Sequence, residues 1–173
     1  MHLIANGGMA SINISNTIDA IMLTKYVKYV EGVKLDVFKT IDNYFVLSEY
    51  DDLKKHTLSN KIISKSTYNE IKNTKFPSHI FKYYLPTLNE VLKNYVSDKK
   101  IFLELHFKDN INDLYNLLSL YPYEYIIINN SDNYIYCNDP ELINLDNIDS
   151  STYIITKYPE KFYKEILYST KND

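Results

Sequence analysis

The sequence predicts an α/β fold built on a mostly parallel sheet or barrel. Short apolar or alternating runs of strand length recur along the chain, helical stripes separate most of them, and turn residues mark the boundaries. With 173 residues and no internal repeat or linker, the chain is expected to form one domain over 1–173.

The elements follow in order. Residues 2–6 (HLIAN) form an apolar run that ends at Gly7-Gly8, a strand entering a loop. Residues 15–32 place Ile18, Ile21, Met22, Val27 and Val30 on a helical stripe, with Ser15 or Asn16 as cap and Gly32 as stop. Residues 33–38 alternate, so Lys34 and Asp36 share one face of a strand and Val33, Leu35 and Val37 the other. A strand at 44–49 is reached through Asp42-Asn43, and residues 50–85 are polar and less regular, with a short helix at 64–73. Residues 85–96 read as a helix with Pro86 at its start. In the strand at 100–107, Phe102, Glu104 and His106 face away from Ile101, Leu103, Leu105 and Phe107. A helix at 112–122, strands at 123–129, 133–138 and 152–157, and a helix at 159–171 complete the chain.

Composition excludes several functions. The net charge is −3 with no basic run, which argues against nucleic acid. All 19 basic residues are Lys, so the usual bidentate clamp for phosphate or carboxylate is absent. One cysteine, Cys137, leaves no internal disulfide and no multi-cysteine zinc site. No stretch is long and apolar enough to cross a membrane, and no secretory segment is read at the start, so a cytoplasmic location is expected. The abundance of Lys, Asn, Ile and Tyr is what an AT-rich coding sequence gives, so the 18 tyrosines assign no function by number alone.

Over residues 2–107 the chain resembles the glycerophosphodiester phosphodiesterases. The family's His-Arg-Gly after strand one falls on Asn6-Gly7-Gly8, and its Glu-Asn-Thr on Ser15-Asn16-Thr17. Its Glu-x-Asp falls on Lys34-Leu35-Asp36, followed in register by Thr40 and Asp42. Its second catalytic His falls on Glu49, followed by Leu53 and Thr57. The helix motif Pro-Thr-Leu-x-Glu-x-Leu stands unbroken at Pro86–Leu92, and the family's Glu-x-Lys falls on Glu104-Leu105-His106. The resemblance implies a TIM-barrel-like fold, shortened here: five or six barrel-type strands are countable. Either the last strands are short and lack helices, or the barrel is incomplete. An open barrel exposes strand edges, which a homodimer or a protein partner would cover.

The departures fall on the chemistry that the resemblance implies. Family members cleave glycerophosphodiesters with a divalent metal and two histidines. Asn6 and Glu49 replace those histidines, and an Asn side chain exchanges no proton near neutral pH. Gly7 replaces the phosphate-holding Arg. Of three metal carboxylates, Asp36 and Glu104 remain, as a remnant site expected to be empty, and the third is Lys34. Three carboxylates with one divalent cation carry the same net charge as Lys34 with Asp36 and Glu104. Lys34 is therefore expected to form an internal salt bridge in place of the ion. No cofactor is expected, with Mg or Ca implied only if activity survives.

Three functions stay open. The first is a binding or regulatory protein without hydrolysis, with a pocket for a polar or phosphate-bearing ligand lined by Asn6, Gly7, Lys34, Asp36, Glu49, Glu104 and His106. The second is a divergent phosphodiesterase of lipid metabolism in which Glu49 and His106 are catalytic. The third is a structural or assembly subunit. His106 also has a plain reading, a hydrogen-bonded inward side chain at the family's Lys position. Glu49 has one as a solvated loop carboxylate. Gly7-Gly8 could cradle an anion. His56 and His79 read as loop residues, and His2 as lying at the far end of the barrel.

Overall fold

The computed structural model describes residues 1–77, 84–109, 111–128, 134–143 and 147–169. His79 lies outside them. Among the described residues, seven strands make one sheet: β1 (His2–Asn6), β2 (Gly32–Lys39), β3 (Phe45–Leu47), β4 (Lys100–Leu105), β5 (Tyr125–Ile127), β6 (Tyr134–Tyr136) and β7 (Tyr153–Thr156). The order is β5-β4-β2-β1-β7-β6, every pair parallel, with β3 antiparallel on the end of β2. From β1 the order follows the chain outward in both directions, which is the arrangement of a barrel sheet. The sheet curls far enough for its two halves to touch, since the Phe102 ring on β4 meets Tyr134 on β6 at 6.0 Å and Tyr153 on β7 at 5.2 Å.

The interior has two layers. The lower one is apolar, with Ile4, Phe102 and Ile155 buried and Ile126, Tyr134 and Tyr153 packed against them. Gly32 is the contribution of β2 to that layer. A Cβ there would sit 2.7 Å from the Lys100 carbonyl oxygen and 2.8 Å from the Phe102 ring. The Phe102 ring thus fills the space in front of Gly32, which opens β2 and stops no helix. Lys34 and Asp36, two and four residues further on, put the next inward positions of β2 above this layer.

The outer face of β2 and β4 carries Val33, Leu35, Val37, Ile101 and Leu103. These pack under α3 (Leu88–Asn94) and α4 (Ile111–Leu118) through Leu88, Val91, Leu92, Leu114 and Leu118. Burial on both faces is what parallel strands between two layers require. At about 1.5–3 kcal/mol per fully buried large apolar side chain, this packing is the main force holding the sheet under its helices.

Helical expectations hold in position and shorten in extent. The stripe at 15–32 gives α1 (Ile18–Leu23), capped by Thr17, and a single 3-10 turn at Thr24–Tyr26. Thr24 turns its hydroxyl back to the Ile21 carbonyl (2.7 Å) and meets the Tyr95 hydroxyl (2.9 Å), while the Lys99 ammonium takes the carbonyls of Val27 and Val30. Those carbonyls are thereby satisfied without further helix. α3 starts at Leu88, later than Pro86, because Thr87 and Glu90 form a reciprocal capping box. In 64–73 only α2 (Tyr68–Ile71) is α-helical, after a 3-10 turn at Ile63–Lys65. The irregular stretch has its own core, in which Leu53, Ile63, Ile71, Phe76 and Leu85 pack on Phe38 and Val46. α5 (Pro159–Ser169) closes the described chain and seats Phe162 against Leu3 and Ile154.

Candidate functional site at the mouth of the curled sheet

The charged layer sits where the parallel strands end, which is where barrel folds place their sites. Sheet register sets it: Asp36 lies opposite Glu104, and Asn6 opposite Lys34. The Lys34 Nζ donates to Asp36 Oδ1 at 2.5 Å and lies 2.5 Å from Glu104 Oε2. His106, one residue past β4, is held by its amide on the Val37 carbonyl (2.9 Å), and its ring stacks on Phe38 with centroids 4.3 Å apart. Its Nε2 lies 3.1 Å from Asp36 Oδ1. Asn16, in the left-handed region at φ 59°, donates Nδ2 to Asp36 Oδ2 (2.9 Å) and accepts the Asp36 amide (3.1 Å). From β6, the Tyr136 hydroxyl donates to Glu104 Oε2 at 3.4 Å.

Burial would raise the Asp36 carboxyl. Hydrogen bonds from His106, Lys34 and Asn16, with the Lys34 charge, overcome it and hold Asp36 below its ordinary 3.8. Burial and the charges of Glu104 and Asp36 push the Tyr136 phenol upward, so it stays protonated and donates.

Lys34, Asp36, Glu104 and His106 are thus in direct contact. Glu49 is held elsewhere: its Oε1 pairs with Lys157 Nζ, just past β7, at 2.5 Å. It is therefore a partnered carboxylate and not simply solvated. Its charge and hydrogen bond raise the neighbouring Tyr50 phenol. Asn6 stands half-buried at the end of β1. Gly7, at φ 69°, donates its amide to the Lys34 carbonyl (2.7 Å) and accepts from the Asn16 amide (2.8 Å), while the Gly8 amide goes to Ala5. A Cβ on Gly7 would overlap the Ser15 side chain. These glycines build the turn that presents Asn16, and their amides are committed inside the fold, so the anion cradle does not form from them. His56 packs between Tyr50 and Phe76 with Nε2 3.1 Å from the Ser48 hydroxyl. Burial lowers its pKa below the ordinary 6.5, against the charges of Glu49 and Asp52. His2 lies at the opposite end of the sheet, with Nδ1 2.6 Å from Glu31.

Tyr136 and Lys157 complete the mouth with no role assigned by sequence, and Asn16, read there as a helix cap, instead holds Asp36. Lys157 follows a strand end, which was a readable signal. Asn16 fell inside a matched motif, and Tyr136 is hidden among many tyrosines. A cavity of about 480 Å³ lined by Ile18, Tyr68, Tyr84, Leu85, Pro86 and Glu90 lies away from this cluster, and none of the sequence-derived site residues lines it.

The donor set can be tested against a metal. Asp36, Glu104 and His106 offer ligand atoms that all lie within 4.8 Å of one another. However, the Lys34 ammonium stands 2.5 Å from both carboxylates, in the position an ion would take. A divalent ion even 4 Å from an ammonium is repelled by about 8 kcal/mol at an effective dielectric of about 20. The residues therefore do not fit a divalent metal while Lys34 stays, and no chemistry is routed through one.

A curled, mostly parallel sheet with helices outside and a charged mouth at its strand ends defines a TIM-barrel-like fold. No family model and no curated protein matches the chain. Solved structures do match. A glycerophosphodiester phosphodiesterase from Parabacteroides distasonis superposes with a TM-score of 0.76 at 18% identity, over 98% of this chain and 98% of that one. One from Agrobacterium tumefaciens gives 0.75 at 13%, over 95% and 99%. A phosphodiesterase from Oleispira antarctica, in complex with the product sn-glycerol-3-phosphate, gives 0.62 at 14%, over 96% of each. The chain has the fold of the glycerophosphodiester phosphodiesterases.

Proposed function

We propose that this chain is a glycerophosphodiester phosphodiesterase-like protein that binds at its barrel mouth and does not hydrolyse. The observation that carries this reading is the Lys34 ammonium bridging Asp36 and Glu104. Fold does not transfer activity, and the roles the family gives to two histidines and a metal have no counterpart at Asn6, Glu49 and Lys34. The remaining acid/base candidates are both committed, His106 to Asp36 and Glu49 to Lys157.

The ligand is a polar molecule. Two ammonium groups, Lys34 and Lys157, face three carboxylates, Asp36, Glu104 and Glu49, so the mouth favours a neutral or cationic group over a phosphate dianion. Self-association belongs to the same proposal. Among the described residues β5 pairs only with β4, and beside it lies an uncharged cleft of about 310 Å³ lined by Tyr115, Tyr121, Tyr123, Tyr125 and Ile127 among others. Light scattering at high concentration tests this, and a clean monomer contradicts it.

The test of function is turnover of glycerophosphocholine and of a chromogenic phosphodiester, with and without Mg²⁺ or Ca²⁺. No hydrolysis is expected in either condition. Hydrolysis abolished in His106→Ala or Glu49→Ala would overturn the reading in favour of a divergent enzyme.

A further inference from the structure

The cavity of about 480 Å³ lies outside the mouth, at the seam between two separately packed cores. Ile21 on α1 and Leu88 on α3 belong to the core under the sheet, while Ile71 and Leu85 belong to that of the irregular stretch. Ligand pockets favour seams between packed units, and about 300–1,000 Å³ takes a small organic molecule. The walls are fixed by the protein itself. The Tyr68 ring stacks on Tyr44 with centroids 4.7 Å apart, and the Tyr68 amide donates to Asp42 Oδ1 (2.9 Å). Tyr84, 43% exposed, is held through its backbone by an antiparallel bridge to Lys75. Leu85 and Pro86 follow it and are buried, and the Pro86 carbonyl accepts the Leu47 amide (2.9 Å).

The lining carries two carboxylates, Asp19 in the first turn of α1 and Glu90 in that of α3, against one ammonium, Lys72. Both bonds that Glu90 makes to Thr87 fall on Oε2, so Oε1 is not used by the cap. Asp19 joins no salt bridge among the described residues. The Tyr68 phenol is raised by burial and then by the Glu90 charge, which puts that carboxylate near the ring. We infer that this cavity is a second ligand site, which takes an organic cation: an amine or quaternary ammonium on a flat apolar body. The cation is drawn to Asp19, Glu90 and the tyrosine rings, and the body covers Ile18, Leu85 and Pro86. An anion of the same shape meets the excess negative charge. The site shares no residue with the mouth, so it stands whether or not the mouth hydrolyses.

The experiment titrates the ¹⁵N-labelled full chain with tryptamine and with indole-3-propionate, the same ring with opposite charge, and follows the amide shifts. Tryptamine should saturate with a Kd of about 1 mM or tighter. It should move the amides of Ile18, Tyr68, Tyr84 and Glu90 and leave those of Lys34 and Glu104 in place. Indole-3-propionate should bind at least about tenfold more weakly. Asp19→Asn and Glu90→Gln should each weaken tryptamine about two- to fivefold, and Gln still caps α3. Tyr84→Ala should weaken it by a similar factor, and Lys72→Ala should tighten it. Asp19 and Lys72 are exposed, so their variants keep the fold and carry the test if Tyr84→Ala does not. Absence of saturable shifts at the cavity, shifts confined to the mouth, or equal affinity for the two probes overturns the inference. Tryptamine binding that none of these substitutions changes overturns it too. None of these results bears on hydrolysis at the mouth, which the turnover assay reads separately.

Discussion

Replacing Lys34 by methionine keeps the length of the side chain and removes its charge. Lys34 and Asp36 have side chains only 4% and 9% exposed, so their pair is buried. Removing one partner of such a pair costs about 3–5 kcal/mol, because the other charge is left uncompensated. The Glu104 side chain is 36% exposed, so solvent screens its half of the contact and little is added for it. Lys34→Met should therefore lose about 3–4 kcal/mol at pH 7, a large share of a typical domain's stability. The loss should depend on pH. In the wild type, the depressed Asp36 contributes stability that is present above its ordinary 3.8 and fades as pH falls through the lower folded value. Without the ammonium, burial, the largest influence on Asp36, is opposed only by the His106 and Asn16 hydrogen bonds, so Asp36 moves upward, the folded variant takes up a proton at a higher pH than the wild type, and the deficit shrinks as pH falls. Urea unfolding at pH 7 and pH 4, followed by circular dichroism, measures both. The triple change Lys34→Met, Asp36→Leu, Glu104→Met should recover part of the loss, since uncharged packing can replace a buried ion cluster. Two results would refute the reasoning: Lys34→Met within about 0.5 kcal/mol of the wild type at pH 7, or an equal loss at both pH values.

Other consequences follow from single contacts. Gly32→Ala places a Cβ 2.7 Å from the Lys100 carbonyl and should cost about 1–3 kcal/mol in urea unfolding; a neutral result would mean β2 and β4 can separate freely. Phe102→Ala empties the lower interior layer and should cost about 3–5 kcal/mol by the same assay. Lys157→Ala breaks a part-exposed pair with Glu49 and should cost about 1 kcal/mol or less, with the difference reduced in high salt. His56 is held neutral by burial, so its contribution is complete above its ordinary 6.5 and is lost as pH falls from there toward the lower folded value. The melting temperature of His56→Gln should accordingly depend less on pH than that of the wild type between pH 7 and 5.

The site residues of β2 and β4 were legible because strand alternation needs no distant information. Lys34 and Asp36 must share a face, and so must Phe102, Glu104 and His106. Gly32 misled because glycine ends helices and also lets strands approach closely, and only the Phe102 ring distinguishes the two. The stretch at 50–85 shows no period because its core forms from single apolar residues in short turns: Leu53, Ile63, Ile71 and Phe76. Glu49 reads as solvated because its partner Lys157 lies 108 residues away. Gly7-Gly8 reads as an anion cradle until the acceptors of its amides are known. The five or six barrel-type strands countable from sequence bracket the six parallel strands among the described residues. The contact between the two halves of the sheet could not, since it depends on how Phe102, Tyr134 and Tyr153 meet.

The most direct test of the central claim is an anomalous difference map from crystals of the wild-type protein grown in Mn²⁺. The account predicts no peak between Asp36 and Glu104, with the Lys34 Nζ in contact with both carboxylates. A strong peak there, ringed by oxygen ligands and with Lys34 turned out to solvent, would contradict it.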